Sequence, residues 1–202
     1  TAYEMHMKLI KKAETWLERE APVAPQKENS LPSEILLTDL ARLRYQMSNT
    51  AGKPMIVRRH TDSEVAGFVQ RDDYEDLARR GPLTPDHIIR TKRFPMVGAS
   101  QDSLDLYVQE YESYVEEFRH RVRTEFTEID PAPRIVLDPE IGMLTAGFTA
   151  KDAQIAADIY HHTIPVLCRS EDHLGGYKAL SAEELFDVEY WDLEQAKLRK
   201  SG

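Results

Sequence analysis

The segment Ile135-Val-Leu-Asp-Pro-Glu-Ile-Gly-Met-Leu-Thr-Ala-Gly-Phe-Thr-Ala-Lys-Asp-Ala153 restricts the choice of fold more than any other stretch of the chain. Two short apolar runs enclose a turn and read as paired strands. Thr149-Ala-Lys-Asp152 then opens a capped helix that places Ala153, Ala156, Ala157, Tyr160 and Ile164 on one face. Three alanines on that face imply that the helix approaches the sheet closely. A strand, turn, strand, helix unit of this kind calls for a sheet with helices laid over it.

The flanking sequence supplies more helices than strands. Residues 2 to 20 carry Met5, Leu9, Ala13, Trp16 and Leu17 on one stripe, and Glu20 to Pro32 is a polar, proline-bearing connector. A second helix is expected over 33–48, with Ile35, Leu36, Leu40, Leu43 and Met47 inward. A short strand is expected over 54–58. Thr61-Asp-Ser-Glu64 has capping-box spacing for a helix through Val69, and residues 74–80 continue helically until Gly81-Pro82. The β-branched residues Ile88, Ile89 and Thr91 predict a turn and then a strand over 85–92, with loop from Phe94 to Ser103. From Leu104, apolar residues recur at 108, 111, 115, 118 and 122. That stripe fits a helix covering a sheet, and its alternative is a seam between subunits of a homo-oligomer. Ser170 to Gly176 reads as loop, Ser181-Ala-Glu-Glu184 as another capping box, and 189–200 as a final helix held through Leu193, Ala196 and Leu198. The fold class is therefore α/β, with a small mixed sheet of about four strands covered by helices.

A length of 202 residues suits one domain, and an apolar fraction of 41% is enough for a real core. The formal charge of −9 argues against a nucleic-acid binder, whose affinity needs clustered, uncompensated Lys and Arg. Cys168 is alone, which rules out an intrachain disulfide, and no apolar run is long enough to span a bilayer. The expectation is a cytoplasmic protein with neither nucleic acid nor membrane as partner.

Three further segments carry a resemblance: Thr1 to Glu14, Gly81 to Lys92, and Leu185-Phe-Asp-Val-Glu-Tyr-Trp-Asp-Leu-Glu-Gln-Ala-Lys-Leu198. Together, and in this order, they resemble bifunctional enzymes that fuse a class II aldolase of the rhamnulose-phosphate type to a short-chain dehydrogenase. The unit at 135–153 resembles its counterpart in class II sugar-phosphate aldolases. There, the residue before the glycine matching Gly142 is a zinc-holding histidine, whereas here it is Ile141, and a hydrocarbon has no lone pair for a metal. The resemblance implies a degenerate aldolase-like middle segment. Residues 1–20 would continue an upstream aldolase domain, 21–34 would be a linker, 35–187 the α/β domain, and 188–202 a helix leading to a dehydrogenase domain. Zinc and NAD(P) would belong to those flanking domains, which are the expected partners within the same polypeptide. The start at Thr1, on a helix cap without an initiator Met, gives the further expectation of a fragment.

The chain's own motifs agree with an absence of cofactor chemistry here. The seven histidines show no His-x-His, His-x-x-His or His-x-x-x-His spacing, no Tyr has Lys four residues later, and Gly142 and Gly147 form no P-loop. No catalytic residue is assigned. Five residues remain as candidates for substrate contact. Arg58 and His60 leave a strand toward a helix start, where free N–H groups favour anions; the plainer reading is surface arginines balancing Asp62 and Glu64. Asp86 and His87 have the chemistry of an orienting carboxylate and a base, with Lys92 nearby. Neighbours on a strand point to opposite faces, so the plainer reading is a capped turn. Those three residues in a cleft at the strand ends would define an independent small-molecule or acid-base domain, the alternative to a non-metal scaffold.

Overall fold

The computed structural model describes residues 1–22, 31, 37–122 and 128–200, with side chains through residue 196. Strands β3 (Ile135–Asp138) and β4 (Gly142–Gly147) form an antiparallel hairpin at the centre of a four-stranded sheet. On its outer side β4 pairs antiparallel with β1 (Ile56–His60), while β3 pairs in parallel with the two-residue β2 (Met96–Val97). The order β1-β4-β3-β2 is therefore mixed, as the sequence leads one to expect.

Both central strands are buried along nearly their whole length because helices cover both faces of the sheet. Ile135, Leu137 and Met143 turn toward α3 (Ser63–Val69), α4 (Tyr74–Ala78) and the long α7 (Ala150–His173), packing on Phe68, Tyr160 and Leu167. Val136, Leu144 and Ala146 turn the other way, against Leu43 and Met47 of α2 (Leu37–Thr50) and Leu104 and Tyr107 of α6 (Gln101–Phe118). Past the sheet edge, Tyr111, Tyr114 and Val115 of α6 continue into a third apolar cluster with Phe186 and Tyr190. Phe186 lies on α8 (Ala182–Glu189) and stacks on Tyr190 with ring centroids 4.6 Å apart.

The two capping boxes at Thr149/Asp152 and Ser181/Glu184 form as their spacing indicates. At the third, the cap shifts by one residue: Asp62, not Thr61, accepts the Val65 N–H. A carboxylate is a stronger acceptor than a hydroxyl for the positive end of the helix.

Several expectations give way to tertiary packing. Residues 85–92 are not a strand. Pro85–His87 is a 3₁₀ turn that runs into the short helix α5 (Ile88–Thr91), with Pro85 in the first helical positions, where its missing N–H costs nothing. Ile88 and Ile89 are buried against Leu185, so packing overrides β propensity. The missing strand lies instead in the expected loop 94–103, as β2. The expected helical stretches at 61–69 and 74–80 form the separate helices α3 and α4, and α7 runs through Ser170 to His173, where a loop was expected. The final helix forms as α9 (Asp192–Lys200) but leaves Leu193 61% exposed, so that residue does not anchor it.

Helix α1 (Ala2–Glu20) forms where expected but buries no residue, and its apolar stripe faces solvent. Its hold on the body is at its C-terminal end, where Arg169 donates to the carbonyls of Ala21 (2.6 and 2.9 Å) and Leu17. The expected linker and the start of the 33–48 helix fall largely outside the described residues.

Candidate functional site

Lys92 ends α5 with φ +64°, a left-handed backbone otherwise adopted among the described residues only by glycines. For a residue with a Cβ this conformation costs roughly 1 kcal/mol or more, and such strain persists where surrounding structure enforces it. The enforcement is visible at the other end of the side chain. Lys92 is 3% exposed, and its Nζ donates to the Asp130 carbonyl at 2.7 Å. Nζ also sits 3.8 Å from the Tyr111 ring centre and 4.0 Å from Oε1 of Glu189, which is itself fully buried.

The tyrosines complete this interior network. Tyr111 donates its hydroxyl proton to Glu189 Oε1 at 3.0 Å and lies 3.1 Å from the Tyr190 hydroxyl. Beneath them, Arg134 forks onto the Asp130 carboxylate at 2.5 and 2.9 Å. Burial drives the electrostatics. It pulls Lys92 down to about 7, against the raising effect of Glu189 and with help from Arg134, and it pushes Glu189 above the usual carboxylate range. Burial also favours the neutral acid at Asp130, but the Arg134 fork outweighs it and holds that carboxyl low. A lysine near neutrality has the chemistry of a base or nucleophile. Enclosed as it is, this one ties α5 to α6 and α8 through Tyr111 and Glu189.

Beside this network, α6 and the Arg93–Phe94 segment border an open cleft of about 580 Å³. Its walls are Phe94, Tyr107, Tyr111 and Tyr114, with Arg79 and Arg93 among them. Arg79 is engaged bidentately by Glu110 at 3.0–3.2 Å.

The other sequence candidates scatter around the fold. Arg58 on β1 is exposed and donates to Gln154 of α7, whereas Asp62 and Glu64 face His161 at 3.8 and 3.9 Å instead of the arginines. His60 sits 3.0 Å from the Thr145 hydroxyl and meets His161 edge-on with centroids 5.4 Å apart. Burial, followed by His161 and Arg58, lowers the His60 pKa against the pull of Asp62 and Asp158. Asp86 is exposed and accepts from Thr84 at 2.6 Å. His87 turns inward, where its Nδ1 is buried without a partner beside a small cavity that Lys92 and Tyr160 also line. The structure thus brings His87 and Lys92 to one cavity, whose lining does not include Arg58 and His60 on β1.

Glu189, Tyr111 and Tyr190 complete the Lys92 network and were missed in the sequence. The available signal was a charged Glu189 between the apolar Val188 and Tyr190, next to the apolar register of α8. Among the described residues, no group of three or more His, Cys, Asp and Glu side chains is arranged to hold a metal. At the β3–β4 turn, the half-buried Ile141 packs against the α2/α6 core, and its carbonyl accepts from Arg59 Nε at 2.8 Å. Gly142 follows with φ +93°, where an added Cβ would meet the His60 carbonyl at 2.5 Å.

A central hairpin with helices on both faces and Ile141 at its turn is consistent with an aldolase-like α/β domain, and the sequence match is to that class. Residues 35–198 match the family described as aldolase class II, second domain, and the chain belongs to it. A relative in Bacillus subtilis (strain 168), named as the uncharacterized oxidoreductase YuxG, is 29% identical over 157 residues, covering 72% of this chain. The chain spans about a quarter of that relative, 23% of its length. No solved structure matches it. The chain is thus related both to class II aldolases and to a protein bearing an oxidoreductase name. No described helix is long and apolar enough to cross a membrane.

Proposed function

We propose that this domain is the non-metal portion of a bifunctional protein in which a class II sugar-phosphate aldolase and a short-chain dehydrogenase share one polypeptide. It acts there as scaffold and domain interface. The whole protein would cleave a ketose 1-phosphate such as rhamnulose 1-phosphate and oxidise the resulting aldehyde with NAD(P). Zinc does not fit the residues described here, and no step through it is assigned to them. The observation that carries the reading is the turn at Ile141–Gly142: a family hairpin whose pre-glycine position holds a hydrocarbon, tied down by Arg59. The exposed apolar stripe of α1 supplies a surface for a flanking unit.

The test is a comparison of this chain with the longer natural protein that contains it. The isolated chain is expected to carry no stoichiometric zinc by elemental analysis and to leave rhamnulose 1-phosphate intact, while the longer protein is expected to bind zinc and to cleave that substrate. Cleavage by the isolated chain would sink the proposal. The alternative, an acid-base domain built on Asp86 and His87, draws support from the shared cavity of His87 and Lys92. Against it stands Asp86, which is exposed and held by Thr84. A His87→Ala variant of the longer protein that loses kcat while keeping its melting temperature would favour that alternative.

A further inference from the structure

Among the described residues, Arg93 is a cation whose surroundings do not account for it. Among the described residues, its guanidinium contacts only rings, lying 4.4 Å from the centre of Phe94 and 5.2 Å from that of Tyr114. Its Nε is shut from solvent without an acceptor. Burial lowers its pKa, and the nearby carboxylates of Glu110 and Glu117 act from beyond ion-pair distance. A partly desolvated guanidinium without a counter-ion is costly, and its planar fork matches a two-oxygen anion better than any other partner. The other arginine of the cleft already has a counter-ion, since Arg79 holds Glu110 in a bidentate pair.

The cleft itself has the character of a small-molecule site. Its volume of about 580 Å³ falls within the range of pockets that enclose metabolites. Tyr107, Tyr111 and Tyr114 repeat along one face of α6 and, with Phe94, provide flat apolar walls. All three tyrosines are at least nine-tenths buried, so the walls are preformed. Glu117 stands on the rim, one carboxylate beyond the Arg79–Glu110 pair. That charge count separates candidate ligands: a monoanion neutralises Arg93 one for one, whereas a dianionic phosphate would place its second charge beside Glu117.

We infer that the α6 cleft binds a small organic monocarboxylate with a planar apolar body, the carboxylate on Arg93 and the body between Phe94 and the α6 tyrosines. This site lies outside the five residues singled out in the sequence and is independent of the scaffold role. It therefore stands or falls without the aldolase reading.

The experiment is an amide NMR titration of the full chain with benzoate, phenyl phosphate and the neutral benzyl alcohol. Benzoate is expected to give saturable shifts at residues 93–94 and 107–117 with a dissociation constant of about a millimolar or tighter, and the other two to bind at least about fivefold more weakly. Glu117→Gln should narrow the gap between phenyl phosphate and benzoate, and Arg93→Gln should weaken benzoate about tenfold or more. Absence of saturable benzoate shifts overturns the inference, as does phenyl phosphate binding as tightly as benzoate. An unchanged benzoate affinity in a folded Arg93→Gln protein also overturns it. The three-ligand series on the unaltered chain decides the matter even if that variant does not fold.

Discussion

Glu189 and Lys92 are the most consequential pair at the scale of single residues. Two opposite charges 4.0 Å apart attract by about 4 kcal/mol at an effective dielectric of 20, yet each loses several kcal/mol of hydration on burial. The balance shows in their titration. Lys92 sits at about 7 when folded, below its ordinary 10.5, so the unfolded chain holds the extra proton between those values. Its penalty therefore grows as pH falls from 10.5 toward 7 and levels off below. In Glu189→Gln the attraction is gone and the folded pKa of Lys92 drops further. Stability should then keep falling below pH 7, by up to about 1.4 kcal/mol per pH unit, where the unaltered protein is flatter. Urea unfolding at pH 8, 7 and 6 measures this, and parallel profiles for the two proteins would refute it. His60 has the same sign with a lower onset. Its folded pKa lies below 6.5, so stability is lost as pH falls through 6.5, and His60→Gln should flatten the melting-temperature profile there.

At the scale of elements, the hairpin and the helix after it rest on local chemistry. Gly142 needs both its positive φ and its missing Cβ, because a methyl group would lie 2.5 Å from the His60 carbonyl on the neighbouring strand. Gly147 has ordinary φ but no room: a Cβ would lie 2.6 Å from the Ala153 N–H nitrogen at the start of α7. Gly147→Ala is expected to cost about 1–3 kcal/mol as overpacking, and Gly142→Ala more, since strain is added to the clash. Chemical denaturation of both variants is the check, and a smaller loss at Gly142 would contradict it. Replacing the Thr149 cap with Ala removes one acceptor at the α7 start and should cost about 1 kcal/mol. The segment 85–92 shows the opposite case. Its β-branched residues are individually suited to a strand, but Pro85 sets a helical φ and Leu185 buries Ile88 and Ile89 from one side. Which neighbour would cover those isoleucines was not legible in the segment itself.

At the scale of the whole molecule, the α1 arm is separable from the folded body. Tyr3 is 72% exposed and Trp16 48%, and the arm's hold is the Arg169 contact with the carbonyls at its C-terminal end. Removing residues 1–16 should therefore change the free energy of unfolding by less than about 1 kcal/mol, measured in urea, despite the loss of a strongly amphipathic helix. A large loss would mean that the stripe is covered within the chain. By contrast, Phe186→Ala in the third cluster should cost about 3–5 kcal/mol and free α8 from α6, because Phe186 is fully buried and packs on Tyr114 and Tyr190.

Local periodicity and capping determined the β3–β4 hairpin, α7, α6 and the four-stranded α/β class, since those signals lie within a few residues of one another and need no knowledge of neighbours. The same short range identified Ile141 as a hydrocarbon at the turn, and Lys92 as a residue worth following. Tertiary structure alone decided that α1 turns its apolar stripe to solvent, that 85–92 is helical, and that Lys92 meets Glu189, Tyr111 and the Asp130 carbonyl. Those outcomes depend on which surfaces are buried and which charges share a low-dielectric interior. Burial is a property of segments far apart in the chain coming together, and no window of sequence contains it.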